Sequence, residues 1–344
     1  HKLGIKASPT AVLQYGDHGG AVAGLVGQEN RGLEYMYIMM NSARYAVGVQ
    51  GIAIAERAYQ KAVAYAKDRV QSRPVDGSIN KSAPIIHHPD VKRMLMTMRA
   101  QVEGCRAMAL TAAAAYDAAH AHPDAEVRKQ NQAFYEFMVP LVKGYSTEMS
   151  LEVTSLGVQV HGGMGFIEET GAAQYYRDAK ILTIYEGTTA IQANDLVGRK
   201  TARDGGQTAK AIAQQIAGTE AELAKRDSVA ARAMLTRLKA ARVAFEQVVD
   251  FVAGGTKGNP NAVFAGSVPY LMLAGNLMAG WQLARALLVA ESQLKAGEGD
   301  AAFLNAKVTT ARFYADHILS RVPGIRDAIV EGADSVTALA LEAF

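Results

Sequence analysis

This sequence is poor in cysteine and proline. It has one cysteine, Cys105, and nine prolines among 344 residues. A single cysteine excludes an intrachain disulfide and favours a reducing compartment, for which we expect the cytoplasm. Because Cys105 lies among alanines and methionines in a helical pattern, we interpret it as a small core residue rather than a nucleophile.

The chain also lacks an excess of charge of either sign. Its 36 basic and 33 acidic residues leave a formal net charge of +3, which gives no reason to expect nucleic acid as a partner. The uncharged stretch 258–284 is long enough to span a bilayer. Its prolines and asparagines instead predict a loop followed by a buried helix from about Val268, and therefore no membrane span. His87, His88 and His161 have no partners at metal-ligand spacing, so we predict no metal site.

The dominant pattern in the sequence is helical periodicity, which runs from about Gly32 to Phe344. The predicted helices cover about 32–70, 89–120, 125–160 with a kink at Pro140, 172–179, a segment from Thr188 onward, an apolar stripe from Leu235 to Val252, 268–296, 300–320 and 325–342. Residues 200–210 resemble a linker.

Residues 1–30 differ from the rest because they are rich in glycine and carry short β-type runs at 11–15 and 21–26. The chain opens at His1 without a methionine and runs directly into the first of these segments. We interpret this start as the middle of a larger protein.

One ordered series of motifs carries the chemistry. Arg44 precedes Arg69 by 25 residues, and a glycine-rich loop follows at 159–166. Arg177-Asp178 then leads to Ile184-Tyr185-Glu186-Gly187-Thr188-Thr189. Taken alone, Glu186 could be an exposed carboxylate favoured by a helix N-terminus, Arg44 a salt-bridge residue, and the glycine loop a plain helix cap.

In this order and spacing, the motifs resemble the C-terminal half of the acyl-CoA dehydrogenases over about residues 1–200. The resemblance implies a mainly α fold in three parts. These are the end of a middle β domain (1–30), the C-terminal four-helix bundle of that family (31–200) and an extra C-terminal helical domain (208–344). Such an extension is similar to that of a large bacterial branch of the family.

The resemblance also implies the reaction, which is FAD-dependent α,β-dehydrogenation of an acyl-CoA thioester to the trans-2-enoyl-CoA. Glu186 would remove the α proton, its backbone N–H would donate to the thioester oxygen, and hydride would pass to flavin N5. Some relatives carry the base on the long helix, directly before the arginine that corresponds to Arg44. This chain has Ala43 there, which cannot accept a proton. Substrate contacts are implied for Asn41, Arg44, Tyr185 and Gly187.

The implied cofactor contacts are Arg69, His88, Gln159, Val160, His161, Gly162, Gly163 and Thr188. Arg69 and the loop resemble groups that reach the FAD of a neighbouring subunit, so we expect a homodimer or larger assembly. After Arg69 the family's Arg-x-Thr-Phe-Gly is replaced, and Arg73 is an alternative contact on the adenine side. Electron-transfer flavoprotein is the expected acceptor. Two other functions stay open, namely an acyl-CoA oxidase and a non-catalytic structural or interaction module.

Overall fold

The computed structural model describes all 344 residues, of which 76% are helical. The prediction of a mainly α fold is confirmed. In chain order the helices are α1 (Gly32–Asp68), α2 (Pro89–Ala121), α3 (Ala125–Pro140), α4 (Ser146–His161), α5 (Ala172–Lys180), α6 (Thr189–Asp195), α7 (Gln207–Leu223), α8 (Val229–Gly255), α9 (Pro260–Ala265), α10 (Ser267–Ala296), α11 (Ala301–His317), α12 (Val322–Val330) and α13 (Ala333–Val336).

Short polar side chains set where several helices begin. The Asp124 carboxylate accepts hydrogen bonds from the first free N–H groups of α3, and Ser228 and Asp300 do the same for α8 and α11. Gly297 ends α10 in the left-handed region, with φ of 71°. The predicted bounds of α1, α2 and α10 agree with the structure to within two residues.

The helix predicted at 125–160 is continuous, but its middle is wider than an α-helix. α3 leads into α4 through one π-helical turn, Leu141–Tyr145. This π turn directly follows Pro140, which has no N–H to donate to the preceding helical ladder. The helix predicted at 325–342 is shorter than expected. α12 ends at Val330 and α13 at Val336, because the residues beyond are exposed and bury no apolar stripe.

Residues 1–30 contain no β-strand. The two β-type runs at 11–15 and 21–26 are exposed, and their backbone groups hydrogen-bond to no other segment. A strand needs a neighbour to satisfy its N–H and C=O groups, and these runs have none within this chain. The expectation of strands is therefore wrong for the chain as it stands, while the assignment of 1–30 to the end of a β domain stays a prediction.

Glycines bring the long helices α1 and α3–α4 into close contact. A Cβ atom on Gly48 would lie 2.3 Å from the Val142 carbonyl oxygen, and one on Gly51 would lie 3.0 Å from that of Ser146. Near the other end of α1, the Tyr65 ring stacks on His161 with 4.4 Å between ring centroids. The two helices therefore run side by side in the same direction, with α1 touching the π turn.

One hydrophobic core of 63 buried residues draws on α1 to α4 and α6 and continues into α7 to α12. Polar contacts within it join the two regions. Tyr145 of the π turn donates to the Asn276 side chain of α10 at 2.7 Å, and its hydroxyl lies 3.2 Å from that of Tyr314 in α11. Burial raises the pKa of Tyr145 well above its usual value. None of the helices combines the length and the apolar character that crossing a lipid bilayer requires.

Candidate active site

Glu186 occupies a strained turn between the short helical turn Ile181–Thr183 and α6. Its φ is 55°, in the left-handed region, and Gly187 follows with φ of 89°. For a residue with a side chain this conformation costs on the order of 1 kcal/mol and persists only where the surroundings enforce it. The left-handed conformation of Glu186 therefore has to be stabilised by contacts with the surrounding residues.

Two fully buried side chains hold the backbone on both sides of Glu186. The Lys143 ammonium donates to the carbonyl of Leu182 at 2.8 Å and to that of Gly187 at 2.6 Å. The Gln192 amide donates to the Glu186 carbonyl at 3.3 Å. Each carbonyl that flanks the turn is thus fixed by a side chain that cannot move into solvent.

The N–H and the carboxylate of Glu186 are left free by this arrangement. The backbone N–H donates to no other backbone or side-chain group, and the half-buried carboxylate forms no ion pair. A free N–H beside a free carboxylate can donate to one atom of a ligand while the carboxylate accepts a proton from another.

The turn is docked on α1. The Tyr185 hydroxyl donates to the Gln50 side chain, and burial, together with the nearby Glu186 charge, raises the pKa of Tyr185. One to two turns earlier on α1, Arg44 is buried and its Nη1 lies 3.4 Å from Asp195 Oδ2 of α6. Arg44 is thus a buried salt-bridge residue, and its contact with substrate stays a prediction.

Two further predicted residues lie on α1 and at the start of α6. Asn41 is half-buried, one turn before Arg44, and its side chain makes no hydrogen bond within the chain. Thr188 caps α6, because its hydroxyl accepts from the Ile191 N–H at 3.3 Å. The helix start predicted at this position is confirmed.

The remaining predicted cofactor residues lie at the opposite end of α1. Arg69 directly follows α1 and is exposed, with one guanidinium nitrogen on the Val70 carbonyl at 3.0 Å. The His88 ring nitrogen lies 2.8 Å from the Gln71 carbonyl. Gln159 is exposed and Val160 is buried on the neighbouring end of α4.

The glycine loop after α4 borders open space. A Cβ atom added to Gly162 or Gly163 would meet no atom within 4 Å. His161 is buried against Tyr65 and held by the Gly157 carbonyl at 2.7 Å, and burial lowers its pKa. His161 therefore anchors the loop, while the glycines form its accessible surface.

The structure thus separates the predicted site residues into two groups. Arg44 and Arg69 lie 25 residues apart on α1 and its first following residue, a distance of about 37 Å at about 1.5 Å per residue. The Glu186 group is Asn41, Arg44, Tyr185, Glu186, Gly187 and Thr188. The Arg69 group is Arg69, His88, Gln159, Val160, His161, Gly162 and Gly163.

Lys143 and Gln192 were not identified by the sequence patterns. One signal was available for Lys143, since it carries the only charge in the stretch 137–145. Gln192 lies within the helix that follows the Glu186 motif and carries no comparable signal.

Two family models match this chain. "Acyl-CoA dehydrogenase, C-terminal domain" matches residues 30–200, and "Acetyl-CoA dehydrogenase C-terminal like" matches residues 208–340.

The chain belongs to the acyl-CoA dehydrogenase family.

Individual proteins of this family agree with that assignment. The chain is 56% identical to 3-methylmercaptopropionyl-CoA dehydrogenase of Ruegeria pomeroyi, over 99% of this chain and 57% of that protein. Its fold is similar to that of Caenorhabditis elegans ACDH-11 in complex with C11-CoA, with a TM-score of 0.74, 18% identity, and coverage of 96% of this chain and 53% of that one. Its fold is also similar to that of Bacillus anthracis acyl-CoA dehydrogenase complexed with FAD, with a TM-score of 0.67 and 20% identity. That match covers 90% of this chain and 54% of the other. The chain therefore spans little more than half the length of the proteins it matches.

Proposed function

We propose that this chain supplies the catalytic base and part of the FAD site of an acyl-CoA dehydrogenase. The reaction is α,β-dehydrogenation of an acyl-CoA thioester to the trans-2-enoyl-CoA, with electron-transfer flavoprotein as the acceptor. The observation that carries the proposal is the left-handed turn at Glu186, with its free N–H and carboxylate. The Ruegeria relative supports 3-methylmercaptopropionyl-CoA as the first substrate to test.

The residues of the chain provide a proton acceptor and a hydrogen-bond donor for this reaction. The α C–H bond of a thioester is weakly acidic, so its cleavage needs a positioned base and stabilisation of the charge that builds on the carbonyl oxygen. Glu186 accepts the α proton on its carboxylate, and its backbone N–H donates to the thioester oxygen. The alternative base position is Ala43, which offers no carboxylate.

The Arg69 group fits the phosphate-bearing part of a dinucleotide. Arg69 presents an exposed planar cation with donors in a fork. Gly162 and Gly163 allow the backbone to approach a ligand closely, because open space borders both residues. When bound, FAD would accept the β hydrogen as hydride.

The separation of the two groups supports an assembly of copies. The Glu186 turn docks on α1 at Gln50, 19 residues or about 28 Å along the helix from Arg69, so Arg69 cannot contact the reacting atoms that Glu186 serves in the same chain. We therefore propose that the Arg69 group holds the FAD used by the Glu186 of another copy, in a homodimer or larger assembly.

The test of the base is Glu186→Gln in the whole protein of which this chain is a part. The amide keeps the shape of the side chain but cannot take the α proton, so flavin reduction by the acyl-CoA should fall about 10³-fold or more, with FAD content unchanged. Anaerobic stopped-flow absorbance measures the reduction. Glu222→Gln, on an exposed face of α7, is the matched control. Near-normal reduction by Glu186→Gln would refute the assignment.

A further inference from the structure

Lys143 is a buried cation without an ion-pair partner. Its relative exposure is 0%, and no carboxylate lies within salt-bridge distance of it. Lysines are almost never fully buried unless they are paired. The pKa of Lys143 is lowered to about 8, chiefly by burial; the Arg44 charge acts in the same direction, and the Glu148 and Glu186 charges oppose it. Keeping an unpaired lysine here costs free energy, which indicates that the side chain has a task.

The two acceptors of Lys143 define that task. They are the carbonyls of Leu182 and Gly187, at 2.8 and 2.6 Å, which lie on either side of Glu186 in the chain. One ammonium group therefore ties together the beginning and the end of the turn that carries the base. With both carbonyls directed at Lys143, the Glu186 N–H remains without an acceptor in the chain.

The backbone around Lys143 is shaped to deliver it to this position. Lys143 lies at the centre of the π turn, and such single turns occur frequently at functional sites. Gly48 lets α1 touch this turn, as described above. On the other side, a Cβ atom on Gly144 would lie 2.7 Å from Leu271 of α10 and 3.2 Å from Gln192. Because the π turn is closely packed on both sides, the backbone from which the Lys143 side chain extends is held in place.

We propose that Lys143 is a positioning residue for the catalytic base. By bridging the carbonyls of Leu182 and Gly187, it keeps Glu186 in the left-handed conformation and leaves the Glu186 N–H free for the thioester oxygen. The catalytic half of this inference rests on the proposed function. The structural half, that Lys143 holds the turn, does not.

The structural half is tested by hydrogen–deuterium exchange on the whole protein of which this chain is a part, without substrate. Lys143→Met has similar length and no donor, so the hydrogen-bonded amides of 182–192 should exchange at least about 10-fold faster, while the helices outside this segment keep their protection. The matched control is Lys200→Met, since Lys200 also lies in a helical turn but bonds Glu136 at 3.1 Å. Lys143→Gln, which retains N–H donors on a shorter, uncharged side chain, should give an intermediate rate. Unchanged exchange of 182–192 in Lys143→Met would overturn the inference.

The catalytic half is tested in the whole protein with 3-methylmercaptopropionyl-CoA. Misplacing the base by about 1 Å costs up to about 100-fold in rate, so kcat for Lys143→Met should fall by that order with KM little changed and FAD retained. A lysine that merely stabilised the core would change the melting temperature and leave kcat of the folded enzyme intact.

The two measurements separate the two hypotheses. A wild-type protein whose flavin no acyl-CoA reduces would refute the proposed function, and the exchange data would still decide whether Lys143 holds the turn. Faster exchange in Lys143→Met combined with an unchanged kcat would overturn the positioning role in catalysis.

Discussion

At the scale of single residues, Lys143 should make stability depend on pH in an unusual range. Its pKa is about 8 in the folded chain and near the ordinary 10.5 when the chain unfolds. Between these values the unfolded state binds more protons, so the free energy of unfolding rises with pH. The gain begins near pH 8 and is complete above 10.5, with a slope of at most about 1.4 kcal/mol per pH unit.

Urea unfolding of the wild type and Lys143→Met at neutral and alkaline pH checks this. The difference between them cancels the titration of every group that does not respond to Lys143, and the charged neighbours Glu148, Arg44 and Glu186 are present in both proteins. The free energy of unfolding of the wild type should rise relative to that of the variant as the pH rises. A difference that stays constant, or that moves towards the variant, would show that Lys143 keeps an ordinary pKa in the fold.

Residue by residue, the sequence indicated the proposed base more readily than the group proposed to hold it. Glu186 lies in a contiguous motif whose neighbours can be read in order. The contact between Lys143 and Gly187 joins residues 44 positions apart, and it depends on the π turn. No periodic pattern encodes such a contact, so Lys143 became visible only with the side chains in place.

At the scale of helices, the contact of α1 with the π turn depends on Gly48. A Cβ atom there would lie 2.3 Å from a backbone oxygen, which cannot move as a side-chain end could. We expect Gly48→Ala to push α1 away from the π turn and to cost about 1–3 kcal/mol of unfolding free energy. Denaturant melts followed by circular dichroism measure this cost.

The control for that substitution is Gly218→Ala, because Gly218 lies exposed inside α7 with no atom near its Cβ position. Removing backbone freedom there should stabilise the protein by about 0.5–1 kcal/mol. If both alanines changed stability in the same direction, close approach at Gly48 would not be the reason for its glycine.

Elements were predictable where the information is local. Helices follow from apolar spacing and capping side chains, and the bounds of α1, α2 and α10 agree with the prediction. Strands are different, because their hydrogen bonds are made with another segment. The β-type runs at 11–15 and 21–26 find no such segment in this chain.

At the scale of the whole molecule, the distance between the Glu186 and Arg69 groups predicts the working assembly. If the FAD site is completed by a second copy, the active, FAD-loaded protein should be a dimer or a larger assembly by multi-angle light scattering. Arg69→Glu should release FAD, because it replaces the exposed cation with an anion opposite the phosphates.

Arg73→Glu is the companion variant to Arg69→Glu, since Arg73 is the alternative contact on the adenine side and already bonds Asn80 at 3.3 Å. If Arg73→Glu releases FAD and Arg69→Glu does not, Arg73 rather than Arg69 contacts the FAD phosphates. An active monomer that retains its FAD would contradict the assembly altogether.

The shared core could not be predicted from the sequence. Apolar stripes on α8 and α10 indicate that these helices are buried, but a stripe does not identify the helix that covers it. The structure shows that the covering partners of α10 include the π turn and α2 as well as its own neighbours α8 and α11.

The five-residue π turn is constrained from two sides, so a tolerated substitution in it has to preserve both sets of contacts. Lys143 donates hydrogen bonds to the turn that carries Glu186. Two positions later, the Tyr145 ring packs over Gly275 and its hydroxyl donates to Asn276. A change in α10 that shifts Tyr145 is therefore expected to alter the position of Glu186, although none of the predicted site residues lies on α10. With Glu186 as the proposed base, selection on catalysis is expected to extend into the C-terminal helices, and compensating changes for α10 variants should arise within 141–145.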